Sequence, residues 1–175
     1  MKKGIALAFG VYLFPAGLAL AQDSLRLPEA SPAASAAQTI GVTDVEIRYH
    51  RPAVSKRKIW DGLVPYGVVW RAGANENTTI SFSTPVRVEG NSVPAGTYGL
   101  FLIPEASKWT LILSRFAAGW GTYSYDPSED LFRAPISPQP LAEAQERLAY
   151  TFDDVTDSAA ACKAHYCKSQ RWQVM

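Results

Sequence analysis

The residues best suited to chemistry are concentrated between positions 60 and 79, in the stretch WDGLVPYGVVWRAGANENTT. Arg71 offers several N–H donors in one rigid plane, which suits a carboxylate or a planar polar ligand. Glu76 can act as an acid, a base or a metal ligand, and Asn75 can both donate and accept hydrogen bonds. A purely structural alternative stays open, in which Arg71 pairs with Glu76 across a turn while Asn75 adopts the left-handed conformation and caps the loop.

Aromatic residues add a second kind of candidate, because the chain carries more large rings than a core of this size needs. Trp109 alternates with Leu111 and is predicted to lie in the core. Trp120 occurs in the loop-like sequence Gly-Trp-Gly-Thr-Tyr, where burial is less assured, and exposed rings there could stack on sugar faces or hold a peptide. The predicted ligand-binding residues are Arg51, Trp70, Arg71, Asn75, Glu76, Trp120 and Tyr123.

Catalytic patterns are weaker, since the sequence shows no nucleophile triad and no phosphate-binding loop. Glu76 could form a carboxylate pair with Asp126 or Asp130, but the separation that decides such chemistry is not encoded in spacing. The order Cys-x-x-His-x-Cys around His165 lacks the paired spacing of a zinc site. We therefore predict no metal and no cofactor. The leading hypothesis is a non-catalytic binding or envelope-associated module for a polar small molecule or glycan; the alternatives are a hydrolase using Glu76 as general acid or base and a structural domain that binds another protein.

The N-terminus indicates export. Two lysines precede an apolar run that ends in Ala-Leu-Ala, which is typical of a signal peptide covering residues 1–21. Cleavage would leave about 154 residues, enough for one domain and without another membrane-spanning run. Removing Lys2 and Lys3 from the 17 basic residues leaves 15 against 16 acidic ones, a balance that argues against nucleic acid as a partner. We expect a periplasmic or secreted protein.

Organisation along the mature chain follows from composition. The Ala-, Ser- and Pro-rich residues 22–36 predict a flexible leader, 37–157 a single domain, and 158–175 an atypical tail. Cys162 and Cys167 are the only cysteines, and in an oxidising compartment they could form a disulfide.

The elements that must position the candidate residues are short strands. Thr43 to His50 alternates apolar and polar residues, as a half-buried strand does. Thr97 to Ile103 is apolar on both faces and is predicted to be central. Helical content is suggested only for Leu141 to Ala149. Further strands are predicted at Val68–Arg71, Thr79–Ser83, Val86–Val88, Trp109–Ser114, Asp130–Ile136 and Leu148–Phe152. Frequent Gly and Pro turns between short strands favour a mainly β fold, an antiparallel sandwich or a small barrel.

Several motifs carry a resemblance to a known family. They are Tyr49-x-Arg51-Pro52, Arg57-Lys58-Ile59-Trp60, Gly62 to Gly67, Trp70 to Thr78, Pro94 to Tyr98, and Trp120-Gly121-x-Tyr123-x-Tyr125-Asp126. In this order they resemble the bacterial proteins grouped as domain of unknown function 2911, from about Ser35 to Asp154. The resemblance implies a secreted, mainly β domain and no particular activity. Proteins of that kind usually close with an apolar strand, whereas residues 162–168 here are polar and lack alternation, so the sequence does not specify the edge strand that would complete the sheet.

Overall fold

The computed structural model of the protein describes residues 27–139, 145–166 and 168–175, with the backbone alone for 168–174. These ranges contain twelve β-strands and one short 3-10 helix, Pro127–Glu129. The strands are β1 (Ala33–Ile40), β2 (Thr43–His50), β3 (Thr79–Phe82), β4 (Val86–Val88), β5 (Asn91–Val93), β6 (Gly96–Ile103), β7 (Trp109–Ser114), β8 (Asp130–Ile136), β9 (Pro138–Gln139), β10 (Ala149–Asp153), β11 (Ala160–Tyr166) and β12 (Lys168–Val174).

The strands form two antiparallel sheets that share one core. The first sheet has the order β1-β2-β3-β6-β7-β8, and the second has the order β10-β11-β12-β4-β5, with β9 also paired to β12. One cluster of buried side chains joins both inner faces and includes Ile47, Ile80 and Leu100 from the first sheet and Tyr150, Cys162 and Tyr166 from the second. This arrangement is a sandwich, and the predicted mainly β, antiparallel fold is confirmed.

The alternation in β2 is confirmed, because Val45, Ile47 and Tyr49 are buried while the residues between them face outward. Each buried side chain of this row lies in the shared core, where apolar burial stabilises the fold by roughly 25 cal/mol per Å². His50, the last residue of β2, projects from the opposite face and is half-buried. The strand thus anchors the sheet and also brings His50 to the rim of the site described below.

Strand β6 is buried on both faces, as predicted for a central strand. Leu100 and Leu102 belong to the shared core, whereas Phe101 is buried on the outer face of the first sheet. Residues 115–126, here called the aromatic loop, cover that outer face: the ring centroids of Phe101 and Tyr125 are 5.0 Å apart. Gly99 allows the loop to approach, because a Cβ at this position would collide with the carbonyl oxygen of Phe116.

The predicted strand at Val68–Arg71 is wrong. Only Trp70 pairs, in a single bridge to Leu102 in which Trp70 N donates at 2.7 Å and Leu102 N donates back at 2.9 Å. Gly67 and Ala72, on either side, have φ values of 73° and 53°. Left-handed residues interrupt the extended backbone, so pairing is limited to one residue.

The two ends of the domain contain strands that composition did not predict. Strand β1 begins at Ala33, inside the segment expected to be a leader, and pairs along its whole length with β2. The segment 158–175, expected to be an atypical tail, contains paired strands: β11 alternates with Cys162, Ala164 and Tyr166 buried and pairs with both β10 and β12. The C-terminal strand, β12, is therefore present in the second sheet. The argument that a missing strand leaves a sheet edge open for a partner no longer applies.

Cys162, one half of the possible disulfide, is a free, buried thiol. From Cys162 to Tyr166 the chain is extended in β11, so these two Cα atoms lie about 13 Å apart. Three predicted features involve residues outside the described ranges: Cys167, the signal peptide, and the start of the suggested helix at 140–144. The remainder of the suggested helical segment is described from residue 145, and its last residue, Ala149, begins β10. In the part of the chain that the structure describes, no helix has the length and apolar character needed to cross a membrane.

Candidate functional site

The turn that carries Arg71, residues 70–79, is fixed by a small set of hydrogen bonds. The carbonyl oxygen of Ala72 accepts from the Thr78 hydroxyl at 3.1 Å and from the Tyr150 hydroxyl at 2.7 Å. The indole Nε1 of Trp70 donates to the Gly73 carbonyl at 3.1 Å. Because Thr78 and Tyr150 are buried, these bonds hold the turn against both sheets.

The turn is joined to the aromatic loop by a short stretch of β-like pairing. Asn77 N donates to Gly119 O and Gly121 N donates to Asn75 O, each at 3.0 Å. Between these bonds Glu76 and Trp120 form an antiparallel bridge. Residues directly opposite each other in such a pair project to the same side, so Glu76 and Trp120 meet although they are far apart in sequence.

Trp120 and Tyr123 form an exposed aromatic platform. Their rings are parallel within 3° with centroids 6.2 Å apart, and the residues are 58% and 86% exposed. The guanidinium carbon of Arg71 lies 5.8 Å from the centre of the Trp120 ring, within range of a cation–π interaction. Gly121, with a φ of 73°, makes this close grouping possible, because a Cβ there would lie 3.2 Å from the Tyr123 ring and 3.3 Å from Arg71 Nη1.

Arg71 is half-buried, and no carboxylate in the described ranges pairs with it. Its Nε atom is buried without a hydrogen-bond partner among the described residues, and burial lowers the pKa of Arg71, an effect that Tyr123 partly opposes. The alternative in which Arg71 pairs with Glu76 is not observed. The Glu76 carboxylate instead lies 3.3 Å from Nδ1 of His50, whose Nε2 is 3.7 Å from Glu29.

On another side of Arg71 lies a cavity of about 300 Å³, here called the arginine cavity, which is also lined by Arg57, Trp70, Gly73 and Tyr166. The rings of Trp70 and Tyr166 stack across its wall at 6.2 Å and 18°. Arg71 is therefore shared between the aromatic platform and the arginine cavity. The volume of the arginine cavity is near the lower limit of the range for small-molecule sites.

Two predicted ligand-binding residues have structural contacts. Arg51 Nε donates to the carbonyl of Leu148 at 2.8 Å, which ties the end of β2 to the segment that begins β10. Asn75 has a φ of 56°, as the structural alternative expected, and its side-chain nitrogen lies 3.4 Å from the carbonyl oxygen of Ser31. Asn75 therefore shapes the turn, and its carbonyl oxygen accepts a hydrogen bond from Gly121 N of the aromatic loop.

The carboxylates considered for catalysis are engaged elsewhere. Asp126 caps the 3-10 helix by accepting from Ser128 N at 2.9 Å, a bond that lowers the pKa of Asp126. Asp130 accepts from the Tyr125 hydroxyl at 2.7 Å and from Arg133 Nε at 2.8 Å. Within the described ranges, no group of three or more His, Cys, Asp or Glu side chains is arranged to hold a metal ion.

Sequence reasoning missed Asn77, Arg57 and Tyr166 as candidates. Asn77 is only 7% exposed, neither atom of its amide has a partner among the described residues, and it lines an open trough of about 540 Å³ with His50. Its position next to Glu76 was the one available signal. Arg57 lies in a basic run that is typical of a solvated loop, and Tyr166 lies in the segment expected to be irregular.

The fold and this surface define a class: an antiparallel β-sandwich with a polar and aromatic site built on two hydrogen-bonded loops. The chain belongs to the family described as Protein of unknown function (DUF2911), whose profile matches residues 31–170. The resemblance carried by the sequence motifs is thus confirmed, and the match includes β1 and β11. No curated protein and no solved structure matches the chain.

Proposed function

We propose that this protein is an exported, non-catalytic binding module that holds a polar small molecule or a glycan at Arg71, Trp120 and Tyr123, with Glu76 and Asn75 at the border of the site. The observation that carries the proposal is the exposed aromatic platform with a half-buried arginine against it that forms no ion pair within the described part of the chain. Large apolar rings grouped on a surface commonly mark interaction sites.

The chemistry of the surface suits a ligand with one flat apolar face and several polar groups. Trp120 and Tyr123 supply the area on which such a face packs. Arg71 supplies donors and the Glu76 carboxylate, 60% exposed, supplies an acceptor. A sugar ring combines these features, and so does a small planar metabolite.

The site is also ordered before a ligand arrives, which favours binding. The turn and the aromatic loop are hydrogen-bonded to each other through Asn77 N and Gly121 N, and the loop is packed on Phe101. A ligand would therefore lose little affinity to ordering the loops, since immobilising mobile segments is one of the main costs of binding.

Thermal unfolding with a panel of glycans, cell-wall fragments, amino acids and nucleotides tests the proposal. A ligand at 100 times its dissociation constant stabilises the folded state by about 2.7 kcal/mol, or roughly 5–10 °C for a domain of this size. Trp120→Ala and Arg71→Ala should abolish the shift. Val42→Ala, which removes an exposed side chain in the β1–β2 turn, is the control and should keep it. A shift that persists in Trp120→Ala and Arg71→Ala contradicts this site.

A hydrolytic role for Glu76 is the second candidate, and the observation that favours it is His50 Nδ1 at 3.3 Å from the exposed carboxylate. A histidine partner could help a carboxylate exchange protons with a substrate. Glu76→Gln should then abolish turnover of a glycan that the protein cleaves. Turnover that continues in this variant excludes Glu76 as the acid or base.

Export is proposed from the first 21 residues and is tested separately. Expression of the full chain in a bacterium followed by cell fractionation should place the protein outside the cytoplasm. N-terminal sequencing should then begin at Gln22, the residue after the Ala-Leu-Ala cleavage sequence. A cytoplasmic protein that still begins at Met1 would contradict export.

A further inference from the structure

Arg71 differs from Arg48 and Arg133, each of which pairs with a carboxylate. Arg48 lies 3.0 Å from the carboxylate of Glu46, and Arg133 lies 2.8 Å from Asp130. In the described ranges Arg71 has neither an ion pair nor a hydrogen bond, although it is half-buried and its Nε atom is shielded from solvent. A partly buried charge without an ion pair or a hydrogen bond is costly, so such a group is rarely retained without a use.

The arginine cavity beside it is positively charged. Arg57 lines the same space, and none of the ten residues around the cavity is acidic. Arg57 donates from Nε to the carbonyl oxygen of Val54 at 3.1 Å, so its position is fixed while its charge remains. Two cations at a concave surface with no acidic residue concentrate anions by focusing the electric field.

The shape of the guanidinium selects among anions. Its N–H groups lie in one plane and match the two oxygens of a carboxylate, giving hydrogen bonds that are stronger than those between neutral groups. The stacked rings of Trp70 and Tyr166 form an apolar wall, which lowers the local polarity and strengthens such a bond.

We propose that the ligand carries a carboxylate, which Arg71 binds from the arginine cavity while the ring attached to it lies on the Trp120–Tyr123 platform. An acidic sugar is the kind of ligand that meets both requirements. This inference rests on the proposed function, since it names the class of ligand for the same site, and Arg71 is the residue that joins its two halves.

The carboxylate is tested without knowing the rest of the ligand, by titrating the purified protein with acetate and with acetamide, its neutral counterpart of the same size. Indole N–H resonances followed by NMR at constant ionic strength report binding. Acetate should bind at least about tenfold more tightly than acetamide, the difference expected for one charge-assisted hydrogen bond. Affinity for acetate should fall when ionic strength is raised from 0.01 to 1 M.

Three variants assign the effect. Arg71→Gln should remove the preference for acetate, and Arg71→Lys, which keeps the charge without the planar group, should retain part of it. Arg87→Gln, a change at an exposed arginine on β4 in the second sheet, is the matched control and should bind acetate as the parent does. Equal affinity for acetate and acetamide, or a preference unchanged in Arg71→Gln, overturns the inference.

Methyl β-glucoside and methyl β-glucuronide separate this inference from the proposed function. Tighter binding of the glucuronide, lost in Arg71→Gln, supports the carboxylate. The opposite outcome is that the neutral glucoside and the glucuronide bind with equal affinity and that binding depends on Trp120. It supports the glycan-binding function and overturns the proposal that the ligand carries a carboxylate. Acetate binding that depends on Arg71, in a protein to which no glycan of the panel binds, supports the carboxylate and contradicts the glycan.

Discussion

Tyr125 fastens the far end of the aromatic loop, and its hydroxyl group can be removed without disturbing its ring. The hydroxyl donates to Asp130 at 2.7 Å and accepts from Arg133 Nη2 at 3.0 Å. Asp130 is nearly buried, with 9% of its side chain exposed. Tyr125→Phe keeps the packing on Phe101 and deletes only the hydrogen bonds, so its effect measures what holds the loop in place.

The expected loss is about 1.5–2 kcal/mol. A hydrogen bond to a charged group contributes about 1.5–3 kcal/mol, and the lower half of that range applies because Asp130 keeps its contact with Arg133. For a domain of this size the melting temperature should fall by about 3–8 °C. Tyr123→Phe is the matched control: Tyr123 is 86% exposed, its hydroxyl has no partner among the described residues, and the change should cost less than about 0.5 kcal/mol.

Urea denaturation at neutral pH measures both variants, with an unchanged slope expected if the unfolded state is unaltered. The pH dependence gives an independent check. Burial, reinforced by Asp130, raises the pKa of Tyr125 to about 12. Because the folded pKa lies above the unfolded value of about 10, the stability gained from Tyr125 is complete below pH 10 and is lost as pH rises towards 12. Two results would refute the reasoning. One is that Tyr125→Phe lowers the free energy of unfolding no more than Tyr123→Phe does. The other is that the difference in free energy of unfolding between the parent and Tyr125→Phe does not shrink above pH 10.

Three other changes test the packing with the same urea assay. Gly99→Ala should lower the free energy of unfolding by at least about 2 kcal/mol, because the new methyl group meets the backbone of Phe116. A decrease below about 0.5 kcal/mol would mean that the aromatic loop moves aside freely. Asn77→Leu, with the same number of side-chain atoms and no unpaired polar groups, should stabilise by about 1 kcal/mol; a clear loss would show that the amide has a partner. Burial lowers the pKa of His165, so as pH falls the unfolded state binds a proton before the folded state does. The free energy of unfolding should therefore decline as pH falls below about 6.5. His165→Gln should flatten that decline, and a pH profile unchanged in this variant would contradict the reasoning.

The strands with clear alternation were predictable because their side chains differ strongly in polarity. Strand β2 alternates valine, isoleucine and tyrosine with charged residues, and β6 is apolar on both faces. Strands β1 and β11 were not predictable, because half of their inward positions are alanine. Such residues carry little intrinsic preference for strands, and it is the pairing with β2 and with β10 and β12 that makes them extended.

The site was predictable in its residue types and not in its pairings. Arg71, Glu76, Trp120 and Tyr123 do come together, as the concentration of donors and rings suggested. The partner of Glu76 is His50 rather than Arg71, since the register of β2 places His50 there and no local pattern encodes that register. Arg57 entered the site for the same reason, through a cavity formed by segments that are distant in sequence.

The exposure of Trp120 follows from the glycines on either side of it. Gly119 lies against the ring of Phe116, where a Cβ would come within 2.6 Å, and Gly121 requires a left-handed φ of 73°. Both positions therefore require glycine, and the Trp120 ring between them is 58% exposed. This ring is stacked with Tyr123, and the guanidinium of Arg71 lies over it. The exposed platform is the surface that the proposed binding function uses, and Gly119 and Gly121 allow the aromatic loop to present it.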